Sequence, residues 1–271
     1  MTTALATPPS VELRSCPLCG AAQRKVLFRR DDWDVVQCAS CGMVFLGTEL
    51  PYGVQARDHD WVEEHGKELS RRRRSQPFWL FLSRCTRPFR GNTHDRLLSQ
   101  TLRWKREGKL VDFGCGGGDF LMRAAKYFDV MGIELSARAA DSSRKRIAAD
   151  RIIQGAVTQV AETALPANTF DVVTQFGYIE HEWQPIAGLR AAHRLLKPGG
   201  ITILKTPNHA SWNRHVRGTN WCGYHIPAHC NYFTPLTLAA MLRYAGFQPI
   251  PGNFLDSLPT SDSLWMAAKK A

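Results

Sequence analysis

From Lys109 to the C-terminus, apolar and polar positions alternate between two periods. Short runs rich in β-branched residues (KLVDFG, DVMGIEL, RIIQG, FDVVTQF and ITILKTP) are separated by stretches whose apolar positions recur at helical spacing (DFLMRAAKYF, SARAADSSRKRIAAD, PIAGLRAAHRLL and PLTLAAMLRYAGF). Such short, mainly apolar runs suit parallel strands covered on both faces, and their alternation with helices predicts a doubly wound α/β sheet. Pro198-Gly199-Gly200 is expected to be a turn feeding the strand ITILKTP. Before Lys109 the pattern changes twice. Residues 10–50 carry the short β-rich runs KVLF, WDVVQC and MVFL, while residues 51–107 read mostly as helix. The expected organisation is therefore a small N-terminal β unit, a helical linker or lid over 51–107, and the α/β domain over 108–271.

The chain has 271 residues, 44% of them hydrophobic, enough for a sizeable core. No run reaches the roughly 20 apolar residues of a membrane span, and MTTALATPPS has neither a basic start nor an apolar signal core. The expectation is a cytoplasmic protein without a membrane partner.

Eight cysteines change the picture of the N-terminal unit. Cys16 and Cys19 form one CxxC pair and Cys38 and Cys41 another, with 18 residues between them, and each pair is followed at once by glycine, Gly20 or Gly42. A glycine there lets the chain turn so that backbone amides face sulfur. Four thiolates at this spacing suit a tetrahedral structural zinc, so residues 10–50 are expected to be a zinc ribbon. Cys85, Cys115, Cys222 and Cys230 are expected to be free thiols.

The net charge of +11 is localised: between Lys67 and Lys109 stand thirteen Lys/Arg against three Asp/Glu, interleaved with Phe78, Trp79, Phe81 and Phe89. Such a segment is either a solvated helical face or an arm that grips nucleic-acid phosphates.

The sharpest motif is LVDFGCGGGDFL, residues 110–121, in the first strand-to-helix turn of the α/β region. A dinucleotide fingerprint that starts at Gly114 and Gly116 needs a third glycine at position 119, where the chain has Asp119; the phosphate loop G-x-x-x-x-G-K-[ST] is absent. What remains is Asp112, Gly114, Gly116 and Gly118, followed about 20 residues later by Glu134 at the end of the next strand. An acidic residue so placed accepts ribose hydroxyls. A nucleoside without a pyrophosphate satisfies both features.

These residues resemble the class I S-adenosylmethionine-dependent methyltransferases. The resemblance continues through LPANTFDVVTQFGYIEHEWQPIAGLRAAHRLLKPGGITILKTPN, and HIPAHCNYFTPLTLAAMLRYAGFQ is similar to the closing segment of the subgroup that carries an N-terminal four-cysteine zinc ribbon. It implies a Rossmann-like seven-stranded sheet with SLWMAAKK antiparallel. It also implies S-adenosyl-L-methionine as cofactor beside Asp112, Gly114, Gly116, Gly118, Glu134 and Phe176, with zinc in the ribbon. Many members place an acidic residue just after the third strand to meet adenine; here Val157 or Thr158 stands near that position and Glu162 lies further along, so the adenine contact is left open.

Methyl transfer needs in-line alignment and, for a protic acceptor, a base. Tyr178, Glu180 and His181, after the fourth strand, form the first candidate group; in the family the Glu-His step lies beside the cofactor, so His181 and Tyr178 are candidate catalytic groups, the alternative being that Glu180 and His181 hold the loop by hydrogen bonds. A second group spans 208–233, with His209, His215, His225 and His229 among Trp212, Trp221, Tyr224 and Tyr232. His225 or His229 could take a proton while the aromatic rings wall an organic acceptor or simply pack. Cys222, His225, His229 and Cys230 also carry metal-binding side chains, but Pro227 interrupts any helix that would align the two histidines. The expected function is methylation of oxygen or carbon in a small organic acceptor, such as a natural product, a sugar or a carrier-bound intermediate. RNA, gripped by the basic arm, is the alternative acceptor; QFGY lacks the Asn/Asp-Pro-Pro-aromatic step used on exocyclic base amines.

Overall fold

The computed structural model describes residues 12–49, 92–252 and 259–271, together with Gly66, Ser70 and Arg71. The N-terminal part contributes strands β1 (Glu12–Leu13), β2 (Arg24–Arg30), β3 (Trp33–Cys38), β4 (Val44–Leu46) and β5 (Thr48–Glu49). Most of the basic arm, with Arg72, Arg73 and Arg74 of its RRRR run, Phe78, Trp79, Phe81, Phe89 and Cys85, lies outside the described residues. Helix α1 (Thr93–Trp104) begins where the Asn92 side chain accepts the His94 amide, and it leads into β6 (Gly108–Phe113).

Then α2 (Asp119–Ala124), β7 (Phe128–Glu134), α3 (Ala137–Arg144), β8 (Ile152–Gln154), α4 (Val157–Thr163), β9 (Phe170–Phe176), α5 (Pro185–Leu195) and β10 (Leu196–Pro207) alternate as the sequence pattern predicts. After α6 (Trp212–Arg217), strand β11 (Asn231–Tyr232) precedes α7 (Pro235–Tyr244), β12 (Phe247–Ile250) and β13 (Ser263–Lys270). The seven-stranded sheet has the order β12-β13-β10-β9-β6-β7-β8. Strands β8, β7, β6, β9 and β10 run parallel, and β13, the run SLWMAAKK, is antiparallel to β10 and β12. This is a doubly wound, Rossmann-like seven-stranded sheet, as the sequence pattern and its family resemblance lead one to expect.

Pro198-Gly199-Gly200 departs from expectation. It lies within β10, where pairing with β9 shifts register between Leu196 and Ile201. Gly199 has φ +77°, and a Cβ on Gly200 would meet the Lys197 carbonyl at 2.9 Å. Glycine here makes a bulge within a strand.

Val111, Phe113, Val173 and Leu204 share a core with Leu189 and Leu195 of α5 and Leu238 and Met241 of α7, and that same core takes in Cys16, Leu18, Met43 and Phe45 of the N-terminal part. The opposite face buries Leu110, Val130 and Val172 against Phe120, Leu121 and Leu97. The two sheets are also joined by hydrogen bonding. Strand β11, which follows the large sheet's β10, pairs antiparallel with β4 and completes the order β11-β4-β3-β2. Arg14, 4% exposed, donates to the carbonyls of Cys230 (3.0 Å) and Trp183 (2.5 Å) and to Asn231 Oδ1 (3.0 Å). Among the described residues no helix is long and apolar enough to cross a membrane.

Candidate functional site

Strand β6 pairs with β7 on one side and β9 on the other, and the connections leave in opposite directions from it. Such a switch point opens a crevice beyond the carboxyl ends of the strands. The glycine turn lies there. Gly114, Gly116 and Gly118 have φ of +69°, +54° and +81°, a region that side chains with a Cβ avoid. At Gly118 space is also closed: a Cβ would stand 2.5 Å from Ser143 Oγ.

Glu134, at the end of β7, is bound into this turn. Its Oε2 accepts the Gly116 amide at 2.8 Å and its Oε1 accepts the Ser136 amide at 2.9 Å. Each oxygen retains acceptor capacity, which suits a vicinal diol. Burial raises its pKa, opposed by the amides of Ser136, Gly116 and Leu135. Asp112 is buried at the end of β6, where its Oδ1 accepts the Thr174 hydroxyl at 2.7 Å. Burial lifts its carboxyl to about 7, opposed by Thr174 and reinforced by Glu134. Phe176, ending β9, is half-buried edge-on to Phe120 and Trp265. Cys115, a free thiol as expected, is buried in the turn, and burial pushes its pKa well up.

The chain leaves β9 through Gly177 into Tyr178, Glu180 and His181. Tyr178 lies over the glycine turn: a Cβ on Gly114 would sit 3.6 Å from its ring. Its hydroxyl donates to Glu182 Oε2 at 2.6 Å, and Glu182 Oε1 accepts the Gln184 amide. The ring thus helps to shape the crevice floor, with its hydroxyl anchored on Glu182.

Glu180, which the sequence places in the first candidate group with Tyr178 and His181, is 3% exposed, and its Oε2 has no hydrogen-bond partner among the described residues. Burial pushes its carboxyl up to about 7, against opposing effects from its own amide, Lys205 and Thr206. One ligand atom each from Glu180, His181 and His229 lie within 4.8 Å of one another. The His181 ring stands edge-on to His229 at 4.7 Å, and His225, itself buried, is 5.2 Å from His229. Burial, with a smaller contribution from His225, lowers the His181 pKa to about 4, so this imidazole is neutral at pH 7. The structure thus gathers His181, His225 and His229 in one place, although 44 positions separate His181 from His225.

The aromatic loop does something else. Trp221, Tyr224 and Tyr232 are buried against Val35, Val44 and Leu46 of the N-terminal sheet, and Trp212 is 63% exposed on the surface. The first three fill the joint between the two sheets and cannot wall an acceptor. His209, also buried, hydrogen-bonds through Nε2 to the Tyr224 hydroxyl at 2.8 Å. Nor do Cys222 and Cys230 join a histidine metal set: Cys230 is buried and its thiol donates to the Glu180 carbonyl at 3.4 Å.

The N-terminal cysteines converge. Cys16 and Cys41 sulfurs are 3.5 Å apart, as are those of Cys19 and Cys38, and all four lie within 4.8 Å of one another. A tetrahedral ion with metal–sulfur bonds of about 2.3 Å requires sulfur–sulfur edges of about 3.8 Å, so the set fits. Gly20 and Gly42 take φ of +75° and +73°, and backbone amides address the sulfurs of Cys16, Cys38 and Cys41.

Glu162 and Thr158 line an open groove of about 860 Å³ with Arg14, Trp183, Arg190 and Arg194, between α4, α5 and the N-terminal sheet. None of the glycine-turn residues lines it.

Comparison with known proteins agrees with this geometry. Residues 87–251 match the family described as "Methyltransferase domain", and the chain belongs to that family. It is 30% identical over 150 residues to a ubiquinone biosynthesis O-methyltransferase of Cereibacter sphaeroides, an alignment covering 52% of this chain and 61% of that protein. The aligned part thus spans less than two thirds of that relative. The same-named enzyme from another strain is 30% identical over 184 residues, covering 65% of this chain and 74% of its own. In fold the chain is similar to a SAM-dependent methyltransferase from Thermotoga maritima, with TM-score 0.53 and 20% identity over 76% of this chain and 99% of that one.

Proposed function

We propose that the protein transfers a methyl group from S-adenosylmethionine to a hydroxyl oxygen of a small organic acceptor. The observation that carries this reading is the cluster of Glu180, His181 and His229 in the segments following β9 and β10, near the ring of Tyr178 that covers the glycine turn. The carboxylate and imidazoles supply proton acceptors, which a hydroxyl nucleophile needs and an already nucleophilic amine or thiolate needs less. The O-methyltransferase names of the relatives support the same atom.

The bare backbone of Gly114, Gly116 and Gly118 would admit the cofactor closely, and Glu134 would accept its ribose hydroxyls. When bound, the cofactor supplies an electrophilic methyl, so the protein's task is alignment and proton removal. Glu180 and the histidines would orient the acceptor oxygen and take its proton. The four N-terminal thiolates would hold one structural zinc and so brace β4 and β11. We assign residues 10–50 to the ribbon, 51–107 to a linker or lid, and 108–271 to catalysis.

The test is incubation with methyl-labelled cofactor and two acceptor pools, a small-molecule extract and total RNA. Label in the small-molecule pool that persists at high salt supports the proposal. Label confined to RNA, fading steeply with salt as phosphate contacts require, would overturn it.

A further inference from the structure

We propose that Glu180, His181 and His229 form a second metal centre, separate from the four-cysteine cluster, which holds a divalent first-row cation such as zinc beside the acceptor. The inference deepens the reading of this site as an O-methylation centre and rests on that reading for the metal's task, though not for its binding.

Three features converge. The first is proximity across the chain: one ligand atom from each of the three residues lies within 4.8 Å of the others, although 48 positions separate His181 from His229. The second is tautomer. His181 Nδ1 stands 2.8 Å from the Ala228 carbonyl and His229 Nδ1 2.8 Å from the Gly223 carbonyl. A carbonyl only accepts, so both Nδ1 atoms carry the proton and both rings present a lone pair at Nε2. Imidazoles that ligate metals are characteristically fixed in this way, by an outer partner on the second ring nitrogen.

The third is an unexplained oxygen. Glu180 Oε2 is buried without a hydrogen-bond partner among the described residues, in a side chain only 3% exposed. Such an atom is costly unless something satisfies it. The backbone holds it in place: the Glu180 carbonyl accepts the amides of Cys230 (2.8 Å) and Asn231 (3.1 Å). The loop that carries His229 is therefore the one that fixes Glu180 and both imidazole tautomers.

Two histidines and a glutamate form a ligand set used by catalytic zinc, with a coordination position left open. There the acceptor R–OH would bind through oxygen; with the three side chains engaged as ligands, the proton they would otherwise accept passes to solvent, because metal coordination lowers hydroxyl pKa values. The resulting alkoxide or phenoxide attacks the methyl carbon, a C–O bond forms as the C–S bond breaks, and the sulfur leaves as a neutral thioether. No redox step occurs.

Binding can be read without turnover. The purified chain, dialysed against micromolar zinc and then washed, is expected to retain two zinc ions per chain by native mass spectrometry. His229→Gln and Glu180→Gln should retain one, with affinity for the second lowered by more than the roughly 10- to 100-fold that loss of an outer partner costs. Should Glu180→Gln fail to fold, cobalt loading of the unaltered chain and of His229→Gln decides the matter. Thiolate-to-cobalt charge transfer should persist in both, while a weaker ligand-field band from a nitrogen–oxygen site disappears in the variant.

One ion per unaltered chain, or two in both variants, would overturn the metal centre. Full hydroxyl methylation with a single ion would do the same and leave the enzyme reading standing. Two ions with no methyl transfer to any hydroxyl would defeat the enzyme reading alone.

Discussion

Glu134 Oε2 accepts the backbone amide of Gly116 at 2.8 Å, so the carboxylate at the end of β7 and the glycine turn after β6 form one hydrogen-bonded unit. Removing the carboxylate therefore removes the proposed ribose acceptor and loosens the turn together. Glu134→Ala is expected to weaken cofactor binding by roughly 10- to 100-fold, the scale of one or two charge-assisted hydrogen bonds. Isothermal titration with S-adenosylhomocysteine measures it, and an unchanged affinity would remove Glu134 from the site.

Gly118 is restricted twice, by its φ of +81° and by Ser143 Oγ, which would stand 2.5 Å from any Cβ at that position. Gly118→Ala should destabilise the fold by about 1–3 kcal/mol. Adding Ser143→Ala should recover part of that loss, since the hydroxyl clash goes but the backbone conformation stays. Urea denaturation of the single and double variants separates the two effects. A double variant no more stable than Gly118→Ala would show that the side-chain contact is not limiting.

Arg14 reaches from the N-terminal sheet to the carbonyls of Cys230 and Trp183 and to Asn231. Cys230 and Asn231 in turn hold the Glu180 carbonyl. Arg14→Ala should cost about 3 kcal/mol or more, because hydrogen bonds from a charged donor are lost and buried acceptors are left unpaired. It should also lower kcat more than it alters cofactor affinity, since it supports the loop bearing His229 and leaves the glycine turn intact. A change within about 0.5 kcal/mol, the range of ordinary surface substitutions, would contradict this.

Asp112 makes stability depend on pH. Its carboxyl titrates near 3.8 when unfolded and at about 7 in the fold, so the native state keeps a proton that the unfolded chain has lost. The contribution is fully present below about pH 4 and is lost as pH rises through 7, a difference of about 4 kcal/mol. Asp112→Asn removes it. Without cofactor, the melting temperature of the variant should gain on that of the unaltered chain steadily from pH 4 to pH 8; parallel profiles would show that Asp112 is not held protonated.

How much of this was legible in the sequence depends on how local each signal is. Alternating periods pointed to the α/β sheet, and the antiparallel β13 followed from family resemblance. The two CxxC pairs and the glycine turn are contiguous, and their geometry appeared where expected. Glu180 was harder to rank because its significance lies in burial and an unpaired oxygen, which no spacing encodes. The rings of Trp221, Tyr224 and Tyr232 could wall a pocket or fill a core, and only the pairing of β11 with β4 shows that a second sheet covers them. The Pro198-Gly199-Gly200 run has turn composition, yet the neighbouring strand β9 absorbs it as a bulge.

Methylation of a hydroxyl oxygen at this site is tested most directly by mass spectrometry of acceptors incubated with the enzyme and S-adenosylmethionine, each compared with its analogue whose hydroxyls are already capped as methyl ethers. One added methyl, placed on oxygen by fragmentation, is expected for the hydroxyl compound and none for the capped analogue, with Glu180→Gln and His229→Gln lowering the rate at least about 100-fold. Equal methylation of the capped analogue, or a methyl found on nitrogen, would contradict it.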